Sequence, residues 1–112
     1  MDESILISIK KLLGLDENYE VFDKDIIIHI NMALSTLNQL GVGPEKGFMI
    51  EDKDAVWSDF IGNNEKLNSV QTYVYLKVKL VFDPPLSSAV MEANKQLISE
   101  LEWRINTQAE SK

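Results

Sequence analysis

Cysteine is absent from the 112 residues, and histidine occurs only once, at His29. The lack of cysteine excludes a disulfide framework, a thiolate nucleophile and a cysteine-ligated metal site. A single histidine with no histidine or cysteine partner makes a poor catalytic or zinc site. His29 follows Asp25 by four residues in a predicted helix, and we interpret the two as an ordinary i,i+4 pair.

The chain also lacks long apolar runs and any excess of positive charge. No apolar stretch approaches the roughly 20 residues that a membrane-spanning helix needs. The acidic start, MDESILISIKK, has no basic region typical of a secretion signal, so we expect a chain made in the cytoplasm. The net charge is −7, and residues 1–65 carry it, with 13 acids and 5 lysines. This balance excludes a basic DNA-binding surface and indicates either a solvated acidic face or one that repels nucleic acid or attracts a basic partner.

Motifs of known chemistry are missing as well. The acid pairs Asp16/Glu17, Asp23/Asp25 and Asp52/Asp54 do not have the spacing of a calcium-binding loop. The glycines of GVGPEKG follow a predicted helix rather than a strand, and no Gly-Lys-Ser/Thr ending is present, so a phosphate-binding loop is excluded. We therefore predict a protein that is not an enzyme, with no catalytic residue, cofactor or metal.

Helical periodicity is what the sequence does contain. Residues 4–13 place apolar side chains at helical spacing, with Lys10 and Lys11 outside and Gly14 as the stop. Residues 23–40 form a second apolar stripe, with Asp23 as the predicted N-cap and Gly41 at the position that ends a helix. A last helix is predicted from Ser87 or Ser88 to about residue 106, followed by a frayed tail at 107–112. Asp83 is the alternative cap for this helix, with Pro84 at its first position.

The middle of the chain is less regular. GFMIED, at 47–52, predicts a short strand or an extended arm, and DAVWSDFIG, at 54–62, predicts a short helical turn. Residues 67–82 fit either a strand, because they alternate from Leu76 onward, or a helix, because apolar residues also line one helical face. Sixteen residues is long for a strand and ordinary for a helix, and this favours the helix.

Pro84 and Pro85 separate the two most apolar stretches of the chain. Proline fixes φ and lacks a backbone N–H, so it interrupts both a helix interior and a central strand. The pair therefore predicts a corner that folds the last two helices against each other.

Two stretches together resemble the head–tail connector (adaptor) proteins of tailed bacteriophages. They are FMIEDKDAVWSDFIG at 48–62 and YVYLKVKLVFDPPLSSAVMEANKQLISELEWRIN at 73–106, and the second combines an aromatic-rich helix, the FDPP break and the ELEWRIN ending. The helix at 23–40 fits that family in position and pattern. The resemblance implies that residues 67–82 are helical.

For function, the resemblance implies a structural subunit of a ring of about a dozen copies, which lies between portal and tail and lets DNA pass. Its expected partners are copies of itself, the portal protein and tail-proximal connector proteins, without specific DNA binding or a membrane. Its expected location is the head–tail interface of the virion, whether the source is a live phage or a prophage. The alternatives are a tail-completion or stopper protein of the same particle, and a small acidic regulatory interaction module.

The predicted fold is accordingly mainly α, a single domain over residues 1–112. It is a small bundle of about four helices with a short helical turn and a short extended or β arm in the middle. Aromatic residues and arginine are favoured at protein interfaces. Within the ring that the resemblance implies, the segment 47–61 and the helix 88–106 are predicted to supply the contacts with other subunits or partners. The predicted contact residues are Phe48, Ile50, Trp57, Phe60, Trp103 and Arg104.

Overall fold

Five helices make up the chain in a computed structural model that describes residues 3–62 and 69–110. They are α1 (Ile5–Leu12), α2 (Asp23–Gln39), α3 (Trp57–Ile61), α4 (Val70–Phe82) and α5 (Ser88–Glu110). The mainly α prediction is confirmed, and α4 settles the ambiguous segment as a helix from Val70 onward, while residues 67 and 68 lie outside the described part. None of the helices in the described ranges combines the length and apolarity needed to cross a bilayer.

Helix α4 is the centre of the bundle. It packs on α2 along one side and on α5 along another, and α1 contacts both α2 and α4. The buried residues of α4, among them Tyr73, Val74 and Val78, meet the predicted stripe of α2, which includes Ile30 and Leu37. This burial of apolar side chains between helices, more than intrinsic helix propensity, holds such short helices together.

The proline pair lies between α4 and α5, as predicted. Asp83 ends α4, with its backbone N–H donating to the Lys79 carbonyl. The Ser87 hydroxyl then accepts from the backbone N–H of Val90 at 3.4 Å, which identifies Ser87 rather than Asp83 as the cap of α5. The tail differs from the prediction, because α5 continues to Glu110 and Ala109 packs against Gly41.

Lys10 is buried, and our expectation that it lies outside the helix bundle is wrong. Its side chain is 1% exposed, and Nζ lies 2.8 Å from Asp23 Oδ1 and donates to the Glu17 carbonyl at 3.0 Å. Asp23 consequently forms an ion pair instead of the predicted N-cap, and Phe22 occupies the cap position of α2 without a side-chain hydrogen bond. The ion pair and the hydrogen bond together fix the loop between α1 and α2.

The predicted arm at 47–52 has no regular secondary structure, and no strand forms there or elsewhere among the described residues. The side chain of Asn31 holds it, because Oδ1 accepts from the Ile50 N–H at 2.8 Å and Nδ2 donates to the Ile50 carbonyl at 3.0 Å. Extended pairing occurs elsewhere, as an isolated antiparallel bridge between Ser4 and Val56. The start of α1 is thereby joined to the start of α3.

Candidate interaction surfaces

The six predicted interface residues fall into two groups in the structure. Ile50, Trp57 and Phe60 are buried in the core, and Phe48 is half-buried with its ring 5.3 Å from that of Phe60. Trp103 and Arg104 lie on the exposed side of α5, far from the first group in sequence. Contact of these six residues with other subunits stays a prediction. Among their aromatic side chains, that of Trp103 is the most exposed.

Core packing explains the first group. The indole Nε1 of Trp57 donates to Ser8 Oγ at 3.1 Å, so the polar atom of this buried ring is satisfied inside the chain. Phe60 lies against Gly43, where a Cβ would come within 2.5 Å of its ring. Both side chains thus attach α3 and the arm to the helical bundle.

Trp103 differs sharply, because 69% of its side chain is exposed. Its neighbour Arg104 pairs with Glu100 one turn earlier, with 2.6 Å between Nη2 and Oε2. Both partners of this pair are exposed, so the pair stabilises the helix only slightly. A free indole beside a preformed ion pair on a regular helix is the type of side chain that anchors protein interfaces.

Titratable groups inside the bundle have structural partners. Tyr73 donates its phenol proton to Glu102 Oε2 at 2.7 Å, which joins α4 to α5. Burial raises the pKa of Tyr73 well above its usual range, and the hydrogen bond to Glu102 and the charge of Glu102 raise it further. A tyrosine held in its neutral form in this way is a donor that links two helices.

His29 does not form the predicted pair with Asp25 in the described part of the chain. It lies instead at the edge of a depression between α2 and α4, beside Lys77, Leu80 and Val81. Within residues 3–62 and 69–110, no group of three or more histidine, cysteine or acidic side chains is placed to hold a metal ion.

Sequence reasoning missed an apolar surface on α2 and α4. Ile28, Met32 and Val81 are 56%, 64% and 60% exposed, and Met49 on the arm is 71% exposed. The signal was present in the run Ile26-Ile27-Ile28, since three successive helical residues span about 200° and cannot all face one core. A single chain leaves this apolar surface uncovered, and exposed apolar patches of this kind mark interaction sites.

A second exposed surface lies in the loop before α2. Tyr19, Val21 and Phe22 are 46%, 71% and 37% exposed, and they alternate with the carboxylates of Asp16, Glu17 and Glu20. The ring of Phe22 packs edge-on between those of Tyr19 and Phe82, with centroids 5.8 and 5.3 Å away. Aromatic contacts thus connect the loop to the end of α4.

Comparison with known proteins gives one match. No curated protein sequence and no solved structure matches the chain significantly. The family model described as phage connector protein matches residues 5–112, which include all five helices and the proline corner. The chain therefore belongs to the phage connector protein family.

Proposed function

We propose that this chain is a structural subunit of a ring at the head–tail junction of a phage or prophage particle, where it joins the portal to the tail. The observation that carries the proposal is the family match over residues 5–112, which leaves only four residues outside it. The exposed surfaces on α2, α4 and α5 support it, because a ring subunit must present different surfaces to its two neighbours. The proposed role is non-enzymatic.

Passage of DNA through the ring is the second part of the proposal. Residues 1–65 carry a surplus of eight acidic side chains, and Glu45, Glu51, Asp52 and Asp54 lie exposed on the arm and the turns beside it. A channel wall with this charge repels phosphates and so lets DNA slide, whereas a basic wall would hold it. We propose that the chain has no specific affinity for DNA.

The proposed partners follow from this location. They are further copies of the chain, the portal protein on the head side and the next connector protein on the tail side. All are virion proteins assembled in the bacterial host cytoplasm.

Light scattering after size-exclusion chromatography, with and without the purified portal protein of the same phage, tests the proposal. We expect a discrete high-order ring, either from the chain alone at high concentration or on the portal. Negative-stain images then distinguish a ring between portal and tail from a plug that closes the channel, which a stopper protein would form. A strict monomer in both mixtures would contradict the proposed function.

DNA passage has its own measurement. Electrophoretic mobility of duplex DNA should be unchanged by the assembled ring at physiological salt. Retention of DNA that weakens as salt rises would show phosphate contacts and would contradict the repelling channel.

A further inference from the structure

An apolar groove with cationic edges runs between α2, α4 and the arm. We call it the methionine groove and define it by Met32, Met49, Leu80 and Val81, with Lys46 and Lys77 at its edges. Its two depressions, of ≈ 560 and ≈ 200 Å³, adjoin at Met32, which lines both. Methionine side chains are flexible and polarizable and adapt to the shape of a bound segment.

The charge around the methionine groove is opposite to that of the whole chain. Among the described residues, the side chains that line its two depressions include Lys46, Lys77 and His29 but no carboxylate. The chain as a whole has a net charge of −7. The groove therefore suits a segment that carries both carboxylates and large apolar side chains.

The chain itself presents such a segment, which we call the acidic loop, residues 16–22. It offers the carboxylates of Glu17 and Glu20 next to the exposed side chains of Tyr19 and Val21. Aromatic and aliphatic side chains fill an apolar groove, while the carboxylates reach the lysines at its edges.

The acidic loop is held in one conformation by the rest of the chain. Asp16 Oδ1 accepts from the Asn18 N–H at 2.8 Å, and the Asp16 carbonyl accepts from the Tyr19 N–H at 3.0 Å. Buried Lys10 adds a hydrogen bond to the Glu17 carbonyl at 3.0 Å. A loop that is ordered before binding loses less conformational entropy on docking.

Within one chain the two surfaces do not cover each other, because Tyr19, Val21, Met32 and Val81 all remain exposed. The acidic loop ends at Phe22, whose ring packs on Phe82 beside Val81 of the groove. Met32 lies ten residues further along α2, or about 15 Å at 1.5 Å per residue of helix. We propose that the acidic loop of one copy docks in the methionine groove of a second copy. The inference rests on the proposed ring, since contact between two different surfaces is what generates closed rings.

Charge reversal tests this contact. One variant carries Lys46→Glu and Lys77→Glu in the groove, and the other carries Glu17→Lys and Glu20→Lys in the loop. All four side chains are at least partly exposed, and in the described part of the chain none forms a side-chain hydrogen bond or ion pair. The Lys77 ammonium does lie 5.9 Å from the centre of the Tyr73 ring, so the circular dichroism spectrum and melting temperature of both variants are compared with those of the wild type before association is measured. Sedimentation velocity should show self-association weakened by about tenfold or more in each variant alone.

Mixing the two variants gives the decisive result. In the mixture every groove meets a loop of opposite charge, so association should return toward the wild-type level. Matched controls with the same charge changes are Lys11→Glu with Lys95→Glu, and Glu92→Lys with Glu110→Lys. These four exposed side chains line neither the groove nor the depression beside Glu20, so the controls should associate like the wild type.

Three outcomes would overturn the inference. They are wild-type association by the two variants alone, no recovery on mixing, and loss of portal binding by the groove variant with self-association intact. The last would assign the groove to another protein. If the free wild-type chain is monomeric but forms rings on the portal, the two variants and their mixture are compared by ring formation on the portal. The same three outcomes there would overturn the docking contact, while the proposed function stands.

Discussion

Tyr73 on α4 and Glu102 on α5 share a 2.7 Å hydrogen bond that joins the two helices on either side of the proline corner. The phenol is fully buried in the bundle, while the carboxylate is half-buried. Hydrogen bonds to charged groups contribute more than neutral ones, about 1.5 to 3 kcal/mol. The contact therefore fixes the packing of α5 on α4 beyond what apolar burial supplies.

Alkaline pH should destabilise the fold through Tyr73. Burial and Glu102 raise the pKa of Tyr73, so the folded chain keeps the phenol proton where the unfolded chain loses it. This contribution is fully present below the unfolded pKa, near 10, and is lost as pH rises toward the folded pKa, with a slope of up to about 1.4 kcal/mol per pH unit. Urea denaturation between neutral pH and pH values above 10 measures the slope.

Tyr73→Phe should remove that slope and should also lower stability at neutral pH by about 1.5 to 3 kcal/mol. Tyr19→Phe is the matched control, since Tyr19 is 46% exposed and should change neither quantity. An alkaline slope that survives in Tyr73→Phe would assign the pH dependence to another group.

Replacing Lys10 by methionine should leave Asp23 without its cation. Breaking a buried ion pair by removing one partner costs about 3 to 5 kcal/mol. We expect about 2 to 3 kcal/mol here, because 24% of the Asp23 side chain reaches solvent. The free energy of unfolding from urea titration measures the loss.

Lys11→Met provides the comparison for Lys10, because Lys11 is the exposed neighbour on the same helix. Its stability should remain within about 0.5 kcal/mol of wild type. Equal effects of the two substitutions would mean that the ion pair contributes nothing beyond ordinary surface charge.

Gly43→Ala should be clearly more harmful than Gly47→Ala. Both glycines have positive φ, at 84° and 94°, so each substitution carries a backbone cost of about 1 to 2 kcal/mol. Only at Gly43 would the new Cβ also meet Phe60, at 2.5 Å, and overpacking adds about 1 to 3 kcal/mol. Thermal melting of the two variants should separate by several degrees, and equal melting temperatures would show that Phe60 moves aside freely.

Trp103→Ala should weaken assembly more than it lowers the melting temperature of the monomer. With 69% of the side chain exposed, its removal should change stability by no more than about 0.5 kcal/mol. Loss of an interface anchor costs about 2 kcal/mol or more. Ring formation and monomer melting temperature are measured beside those of Thr107→Ala, an exposed control one turn away on the same helix. If Trp103→Ala lowers the melting temperature as much as it weakens ring formation, Trp103 is not an interface anchor.

Local patterns in the sequence predicted most of the helices. The stripe of α2, the stop at Gly41 and the corner at Pro84 and Pro85 are encoded within a few residues of where they act. The burial of Lys10 was not predictable in this way. The buried ammonium of Lys10 is neutralised by the carboxylate of Asp23, which lies 13 residues further along the chain. Tertiary partners likewise extend α5 to Glu110, where Ala109 packs against Gly41.

The candidate surfaces were harder to predict for a related reason. Trp57 and Phe60 were suggested by their aromatic type and by their place in the segment 47–61 of the implied ring. Rings on a short helix serve equally well as core, and here they are buried. The methionine groove combines residues from α2, the arm and α4, so it exists only after folding. Sequence periodicity can indicate that a residue has no room in the core, but it cannot say which distant residues will lie beside it.

Helix α5 has two halves of different character, with no buried residue from 88 to 97 and with Ile98, Leu101, Ile105 and Ala109 buried beyond them. An isolated helical segment of ten residues is marginal in water, so the first half persists mainly as a continuation of the anchored second half. Amide hydrogen exchange should therefore show protection rising along this one helix from Ser88 toward Ile105. Any molecule that covers Val90 and Leu97 would level that gradient, so the exchange profile of a single helix reports whether the chain is free or assembled.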